Sequence, residues 1–357
     1  MKSVLVSVTV VTHNSCPFIG RCLDAVFRQE YEALEVIVVD NASQDESRQV
    51  LAGYKGRIQL IENGRNQGFA AAQNQAIAAS RGQWILTLNP DVLLQPGFIL
   101  RTLEAGELNA QVGAVCGKLL RMRRDLTIPR APRIDSTGIY FTAGMRHFDR
   151  GWNEPDDGRF HHTEYVFGAS AAAALYRREM VADISQNDGF FDPDFFTYRE
   201  DADVAWRAQL LGWRCIYAPH AVAHHVRRMV NGSRLGVPAI LKMHSVKNRF
   251  LMRIKNITGD LYRRNWFSAT ARDVLVVGGC LFYEPSSLPA FWRLIPCLPR
   301  AIKKRRWIMD RRVASDEYIS TWFHVRSRPL EPWISEAAEQ IGVVETHLPG
   351  SLVIEPH

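Results

Sequence analysis

The sequence has no close cysteine pair, no apolar run of membrane-spanning length, no glycine-rich phosphate loop and no internal repeat. Each absence removes a class of protein. The six cysteines are Cys16, Cys22, Cys116, Cys215, Cys280 and Cys297. None forms a C-x-x-C pair, which argues against a zinc or dithiol redox centre and reads as free thiols in a reducing cytosol. The best candidate for a spanning helix, Val274 to Tyr283, is stopped by Glu284 and Pro285, short of the roughly 18 apolar residues such a helix needs. Met1 to Val11 is apolar but lacks a small-residue cleavage site and runs straight into Thr12-His13-Asn14, so it does not read as a signal peptide. The expectation is a soluble or peripheral protein of the cytoplasm. After this first strand-like stretch comes Thr12-His13-Asn14-Ser15 instead of G-x-G-x-x-G, which disfavours a dinucleotide-binding domain. The G-x-x-x-x-G-K-[ST] phosphate loop is also missing, as is any low-complexity tract.

What is present is an ordinary globular composition, 46% hydrophobic and 23% charged over 357 residues. That length suits one large domain with an appendage, or two modest domains. Lysine and arginine number 44 against 37 acidic residues, a formal charge of +7. The excess fits an anionic partner such as nucleotide phosphates, a pyrophosphate lipid or a membrane surface; it also fits a solvated basic surface with no partner.

The first hundred residues alternate strand and helix patterns. Val4 to Val11, Leu34 to Val39, Ile58 to Ile61 and Trp84 to Leu88 read as strands. Pro17 to Gln29, Ser47 to Tyr54 and the alanine-rich Phe69 to Ala79 read as helices. This β-α-β-α-β-α-β order predicts an α/β fold, an open and mostly parallel sheet with helices on both faces. Polar residues follow three of the strands: Thr12 and Asn14, Asp40 and Asn41, Asn89 and Asp91. Ligands of open α/β sheets bind beyond the carboxyl ends of the strands, so three strands deliver polar groups to one edge. Arg121 to Phe160, rich in Gly, Pro, Arg and Asp, reads as long loops and a mobile flap. Tyr165 to Tyr176 resumes apolar order, and Asp201 to Leu211 reads as a helix.

Asp40 at a strand end can accept from a uracil or thymine ring N–H or a ribose hydroxyl, or can serve as a turn or helix cap. Asp91 in Asn89-Pro90-Asp91 can hold a divalent cation on a nucleotide diphosphate, or can belong to a simple turn. Glu200, Asp201 and Asp203 crowd a helix start beside Tyr198 and are followed by Trp206-Arg207. They fit a general-base site and also fit favourable charges on the helix dipole.

Taken together these pieces resemble a family 2 glycosyltransferase of the GT-A fold, and within it bacterial rhamnosyltransferases. The matching segments are Val11-Thr12-His13-Asn14, Val38-Val39-Asp40-Asn41-Ala42-Ser43, Asn66-Gln67-Gly68-Phe69-Ala70-Ala71-Ala72-Gln73-Asn74 and Leu88-Asn89-Pro90-Asp91. Phe167-Gly168-Ala169-Ser170, Gly189-Phe190-Phe191-Asp192, Tyr198 to Asp203, Gly212-Trp213 and His224-His225 complete the set. The resemblance spans roughly Val4 to Ser233. It implies a nucleotide-binding and catalytic domain over 1–230, a helical basic region over 231–328 and a tail over 329–357. It further implies that Thr12, Asn14, Asp40 and Asn41 hold base and ribose, and that Asn66, Gly68, Phe69 and Asn74 shape the donor pocket. Asp91, with Asn89 beside it, would bind Mg²⁺ or Mn²⁺, and His224 or His225 would complete the metal shell or face the diphosphate. Asn89 replaces the first aspartate of the family's Asp-x-Asp signature, which implies a weaker metal site. Asp201 would be the catalytic base, Glu200 and Asp203 its supports, and Gly168, Ala169, Trp206 and Arg207 acceptor contacts. The implied reaction is inverting transfer of a sugar, L-rhamnose from dTDP-rhamnose above others, from a dTDP- or UDP-sugar. The acceptor would be a glycan or polyprenyl-pyrophosphate-linked saccharide in cell-surface polysaccharide synthesis.

The C-terminal third carries two basic segments. One is Lys242, Lys247, Arg249, Arg253 and Lys255 among apolar residues; the other is Lys303-Lys304-Arg305-Arg306-Trp307 with Arg311 and Arg312. Both suit anionic lipid headgroups on the cytoplasmic face of the inner membrane, or ordinary helices with a wet basic face. Nucleic acid is disfavoured, since no recognised nucleic-acid module is present. Two competing functions remain at this stage. A sugar nucleotidyltransferase would need a Gly-rich basic loop after the first strand, and a non-catalytic glycan- or lipid-binding scaffold would not need Asp91 and Asp201.

Overall fold

The computed structural model describes residues 4–227 and 237–331. The expected boundary at 230/231 and the tail from 332 onward lie outside the described residues. The β-branched run VSVTVVT forms β1 (Val6–Thr12), every residue of it buried, as a central parallel strand should be. Then come α1 (Cys16–Phe27), β2 (Leu34–Asp40), α2 (Ser47–Ala52), β3 (Gln59–Glu62), α3 (Phe69–Ala79), β4 (Trp84–Leu88), β5 (Val92–Leu94) and α4 (Phe98–Gly106). The middle of the chain adds β6 (Val112–Arg121), β7 (Ile134–Ser136), β8 (Ile139–Phe141), β9 (His147–Asp149), β10 (Glu164–Val166), β11 (Ala173–Arg177), α5 (Arg178–Ile184), α6 (Glu200–Leu210) and β12 (Arg214–His225). Last are α7 (Ala239–Asn256), α8 (Gly259–Phe282), α9 (Pro289–Leu294), α10 (Leu298–Arg311), α11 (Asp316–Thr321) and β13 (Arg328–Pro329).

Among the described residues the main sheet runs β13-β10-β12-β6-β11-β4-β1-β2-β3, with β5 on β12 and β7 on β6. The half made by β4, β1, β2 and β3 is parallel throughout, in keeping with the sequence pattern. The other half is mixed: β11 runs antiparallel to both β4 and β6, while β12 runs parallel to β6. The register Thr12↔Asp40 brings the ends of β1 and β2 level, so their polar residues share one edge.

Residues 121–160 are not an open flap. Ile134, Ile139, Phe141 and Met145 are buried in the main core, and β7 extends the sheet through β6. The proline and glycine content reflects tight turns between very short strands. The C-terminal helices likewise do not stand apart. Leu251, Met252, Leu261, Ala301, Trp322 and Phe323 belong to the same buried core as β1 and β4, and β13 pairs with β10.

The basic segments also face differently from the expectation. On α7, Lys247, Arg249, Arg253 and Lys255 are all buried. Arg249 and Arg253 pair with Asp273 at 3.1 and 2.5 Å, and Lys255 with Asp192 and Asp203 at 2.6 and 2.9 Å. On α10, Lys304 Nζ reaches Asp188, Asp192 and Asp194 at 2.7, 2.7 and 3.1 Å. Arg305 donates to the backbone carbonyls of Ile254 and Ile257 at the end of α7. Apart from Arg305, these cations are structural partners of acids elsewhere in the sequence. Only Lys303 and Arg306 of the Lys303–Arg306 run face outward.

Candidate active site

At the ends of β1 and β2, Asp40 is fully buried. Its carboxylate accepts from Ser43 N at 3.2 Å and Arg48 Nε at 2.7 Å. Thr12 is equally buried, and its Oγ1 has no hydrogen-bond partner. An orphan hydroxyl of this kind calls for a ligand or water. Asn14 is exposed with φ 50°, and its Oδ1 accepts from Gln44 N at 2.8 Å. Asn41 is turned inward: Nδ2 donates to Asn66 Oδ1 at 2.9 Å and Gly68 O at 3.2 Å, while Oδ1 accepts from Asn63 and Gln67. It holds the loop before α3 in place; its amide is fully engaged within the protein and is not aimed at a ribose. Asn74 does the same for another segment, bonding Phe191 N and O at 2.9 and 2.7 Å and Asp188 O at 3.1 Å. Phe69 packs edge-on against Phe191. These three residues fix the loop before α3 and the segment around Phe191 from behind.

Asp91 follows β4, and β5 carries it beside the end of β12 through the pairing His225↔Val92. His225 Nε2 lies 3.5 Å from Asp91 Oδ1, and its Nδ1 lies 2.8 Å from Asp135 Oδ2. Burial alone would lower the imidazole pKa; Asp135 and Asp91 override it and raise it to about 10. Asp135 is correspondingly held down at about 2: burial would raise it, and the His225 charge and hydrogen bond outweigh that. Strand alternation puts His224 on the other face, where burial lowers its pKa. Of the pair, His225 is the one that lies beside Asp91. Between its two carboxylates His225 is an imidazolium; a divalent cation beside Asp91 would have to displace the Nε2 proton, and Asp135 would then fix the other nitrogen as the outer partner of a ligating histidine does. Asn89 is half-buried at the same turn. A second group of acids, Asp188, Asp192 and Asp194, converges closely, but the Lys304 ammonium already binds all three.

Asp201 opens α6 after an irregular loop. Phe196, Tyr198 and Arg199 all have positive φ, at 66°, 69° and 72°, a conformation non-glycine residues hold only when their surroundings impose it. The bracing comes from α7. Asn248 Nδ2 donates to the carbonyls of Phe195, Thr197 and Tyr198, each at 2.8 Å, and Arg199 Nε donates to Ser245 O at 3.0 Å. Asp201 is half-buried, and its carboxylate accepts from Ala202 N at 2.7 Å and Ala171 N at 3.4 Å. Burial first, and then the charge of Asp149, raise its pKa to about 6. Glu200 is buried with Oε2 unpartnered. Burial and the neighbouring Asp201 charge push it up to about 8. Burial and neighbouring negative charge thus raise two adjacent carboxyls, a pattern that fits acid–base chemistry.

Several expected roles are corrected here. Asp203 does not support Asp201: it is fully buried and engaged by Arg207 at 3.0 Å, Lys255 at 2.9 Å and Asn256 at 2.8 Å. Arg207 is buried too, donating to the carbonyls of Ile184 and Phe190 at 2.6 Å. Trp206 lies in the core against Phe141 and Phe323. A Cβ on Gly168 would stand 2.1 Å from the Ala205 Cβ, and Ala169 is covered. Trp206, Arg207, Gly168 and Ala169, expected as acceptor contacts, are all buried in this structure. Together they seat α6 on the sheet. Asn248, Arg48, Asp135, Asp149 and Arg227 were missed by the sequence reading. Arg227 joins the last two, at 3.1 Å from Asp135 and 2.7 Å from Asp149. No local pattern announces them, since each gains meaning only from a partner distant in the chain.

A parallel half-sheet joined to a mixed half, with helices packed on it, is the layout of a glycosyltransferase of the GT-A type. The chain belongs to glycosyl transferase family 2, whose sequence model matches residues 7–185. It is 28% identical over 235 residues to the N-acetylglucosaminyl-diphospho-decaprenol L-rhamnosyltransferase of Mycobacterium tuberculosis, covering 61% of this chain and 75% of that one. It is 31% identical over 138 residues to the succinoglycan biosynthesis protein ExoO of Rhizobium meliloti, covering 36% and 40%. The fold is shared with S. aureus TarS (TM-score 0.53, 16% identity, 86% of this chain and 90% of that). GalNAc-T7 shares it as well (TM-score 0.57, 14% identity, 87% and 56%).

Proposed function

We propose that this enzyme transfers L-rhamnose from dTDP-rhamnose, with inversion, to a polyprenyl-diphosphate-linked saccharide in cell-surface polysaccharide synthesis. It would work as a peripheral protein on the cytoplasmic face of the inner membrane. The sugar and acceptor rest on the similarity to the mycobacterial rhamnosyltransferase. The single observation that carries the chemistry is Asp201, half-buried at a helix start with its pKa raised to about 6.

Asp201 removes the proton from an acceptor hydroxyl. The resulting oxygen attacks the anomeric carbon from the face opposite the leaving group, forming the new C–O bond as the bond to the nucleotide diphosphate breaks. A carboxylate with pKa near 6 is ionised at neutral pH and a better base than one near 4. Asp91 and His225 would hold a Mg²⁺ or Mn²⁺ ion, which when bound supplies positive charge to the departing diphosphate. Thr12, Asp40 and the Asn14 turn line the end where base and ribose would sit.

Thermal-shift screening against dTDP-, UDP- and GDP-sugars, with and without Mg²⁺ or Mn²⁺, tests the donor. Calorimetry on Asp91→Ala tests the metal: its metal-dependent affinity for nucleotide diphosphate should vanish while the fold stays intact. NMR of the product linkage tests inversion; retention of anomeric configuration would overturn the single-displacement reading.

A further inference from the structure

Most cations of the two basic clusters are engaged within the protein, Lys303 and Arg306 excepted, yet a different surface of the same region faces out and is strongly apolar. On α8, Leu261, Asn265, Ala269 and Cys280 are buried. The opposite side presents Trp266, Phe267, Val274, Leu281 and Phe282, between 52% and 81% exposed. The C-terminal half of this helix is therefore apolar on both sides, a pattern found where a helix is buried or meets lipid. Val274 to Tyr283 contains no charged residue, and Glu284, which ends the run, is paired to Lys242 at 3.2 Å. Beyond the turn, Tyr283, Trp292 and Ile295 are 90%, 75% and 54% exposed. The two helices share one support: Val276 and Cys280 of α8 and Ala290 and Phe291 of α9 pack with Met243, Val246 and Phe250 of α7. Isolated apolar residues on a surface are ordinary; a concentration like this marks an interaction site.

We propose that the outer face of α8 and α9 inserts into the interfacial layer of an anionic membrane. The proposal rests on the membrane-side reading above and moves the contact from the basic clusters to this apolar face. Two observations select lipid as the occupant. Tryptophan and tyrosine, here Trp266, Tyr283 and Trp292, favour the headgroup level, where a ring can be half apolar and half wet. Arg293, Lys303 and Arg306 are exposed and make no ion pair among the described residues, so they complement anionic headgroups. A second copy of the chain docking face to face would set the same cations against themselves. No single described helix is long and apolar enough to cross a bilayer; α8 and the segment Pro285–Arg311 reach that length and composition only together, across a bend of 112°, and the packing of α8 and α9 on α7 holds them against the protein, which suits lying in the interface. The position has a consequence for the site, because α7 supports this surface and also carries Asn248, which braces the Asp201 loop. The acceptor's lipid end and the catalytic base are thereby referred to one helix.

The test is flotation of the full chain with vesicles of phosphatidylcholine alone and of phosphatidylcholine with phosphatidylglycerol, at low and high salt, with tryptophan emission recorded. The wild type should bind the anionic vesicles with a blue shift, and part of that binding should survive high salt, since inserted apolar groups are not screened. Phe282→Ser combined with Trp292→Ser should weaken binding by about tenfold or more, with an unchanged melting temperature. Lys303→Ser combined with Arg306→Ser should remove only the salt-sensitive part. The proposal is overturned if the Phe282/Trp292 variant binds vesicles like the wild type. It is equally overturned if light scattering shows a dimer that this variant dissociates. Nucleotide-sugar affinity measured on the same variants keeps the two readings apart: an enzyme that binds vesicles but no nucleotide sugar would refute the proposed reaction and leave the surface assignment standing.

Discussion

Gly68 and Phe196 are in contact so close that a Cβ on Gly68 would stand 2.5 Å from Cδ2 of the Phe196 ring. The glycine that caps α3, with φ 84°, thus touches the loop that presents Asp201. The proposed donor side and the proposed base are therefore built against one another. Gly68→Ala adds a methyl group both where φ is positive and where no space exists. We expect a loss of about 1–3 kcal/mol in stability, read from urea midpoints, together with weaker donor binding. An alanine variant with wild-type stability and affinity would mean the loop moves freely.

Asn248 offers a sharper separation of stability from catalysis. Its amide nitrogen meets three carbonyls of the Phe195–Tyr198 loop. Asn248→Ala leaves buried carbonyls without a donor, at a cost of about 1–3 kcal/mol. It should lower kcat well beyond any change in donor affinity, because the bonds from Asn248 brace the stretch that runs directly into Asp201. Equal losses in kcat and donor affinity would assign Asn248 a general structural role.

How much of this was legible beforehand can be traced through particular residues. The parallel half-sheet was legible because β1, β2 and β4 are short runs of mostly buried apolar residues, each ending in or directly followed by a polar residue. Phe69–Ala79 and Trp84–Leu88 were read with their observed bounds. The strands within 121–160 were hidden because each is three residues long, too short for periodicity to show. Lysines 255 and 304 were misread because a basic helix face looks the same in sequence whether it meets water or buried aspartates. Asp203 and Asp201 sit two positions apart in one motif. Only the packing of α7 on α6 separates a structural ion partner from a half-exposed base.

That separation predicts opposite stability effects. Asp203→Asn leaves Arg207 and Lys255 short of a buried counter-charge and should cost about 3–5 kcal/mol, seen as a large fall in melting temperature. Asp201→Asn should leave stability at pH 7 unchanged or raise it by on the order of 1–2 kcal/mol. Its folded-state pKa, about 6, lies above the unfolded value. Its contribution to stability is therefore fully present below about pH 4 and is lost as pH rises through about 6. Equal destabilisation by the two substitutions would contradict the distinction.

The same raised pKa shapes the activity profile in the reverse sense. The base acts only when ionised, so kcat/KM should fall as pH drops through about 6. Asp149→Asn should move that limb to lower pH, because the Asp149 charge is the main electrostatic cause of the shift after burial. A limb that stays in place would show that burial alone sets the value.

The most direct test is the turnover of Asp201→Asn on a nucleotide sugar and a lipid-linked acceptor, at saturating concentrations. Asparagine keeps the size and the hydrogen bond from Ala202 N but cannot take the acceptor proton. The account predicts kcat lower by about 10²-fold or more, with nearly unchanged donor affinity. Near-normal turnover, with the loss appearing instead in Glu200→Gln, would contradict the assignment of Asp201 as the base.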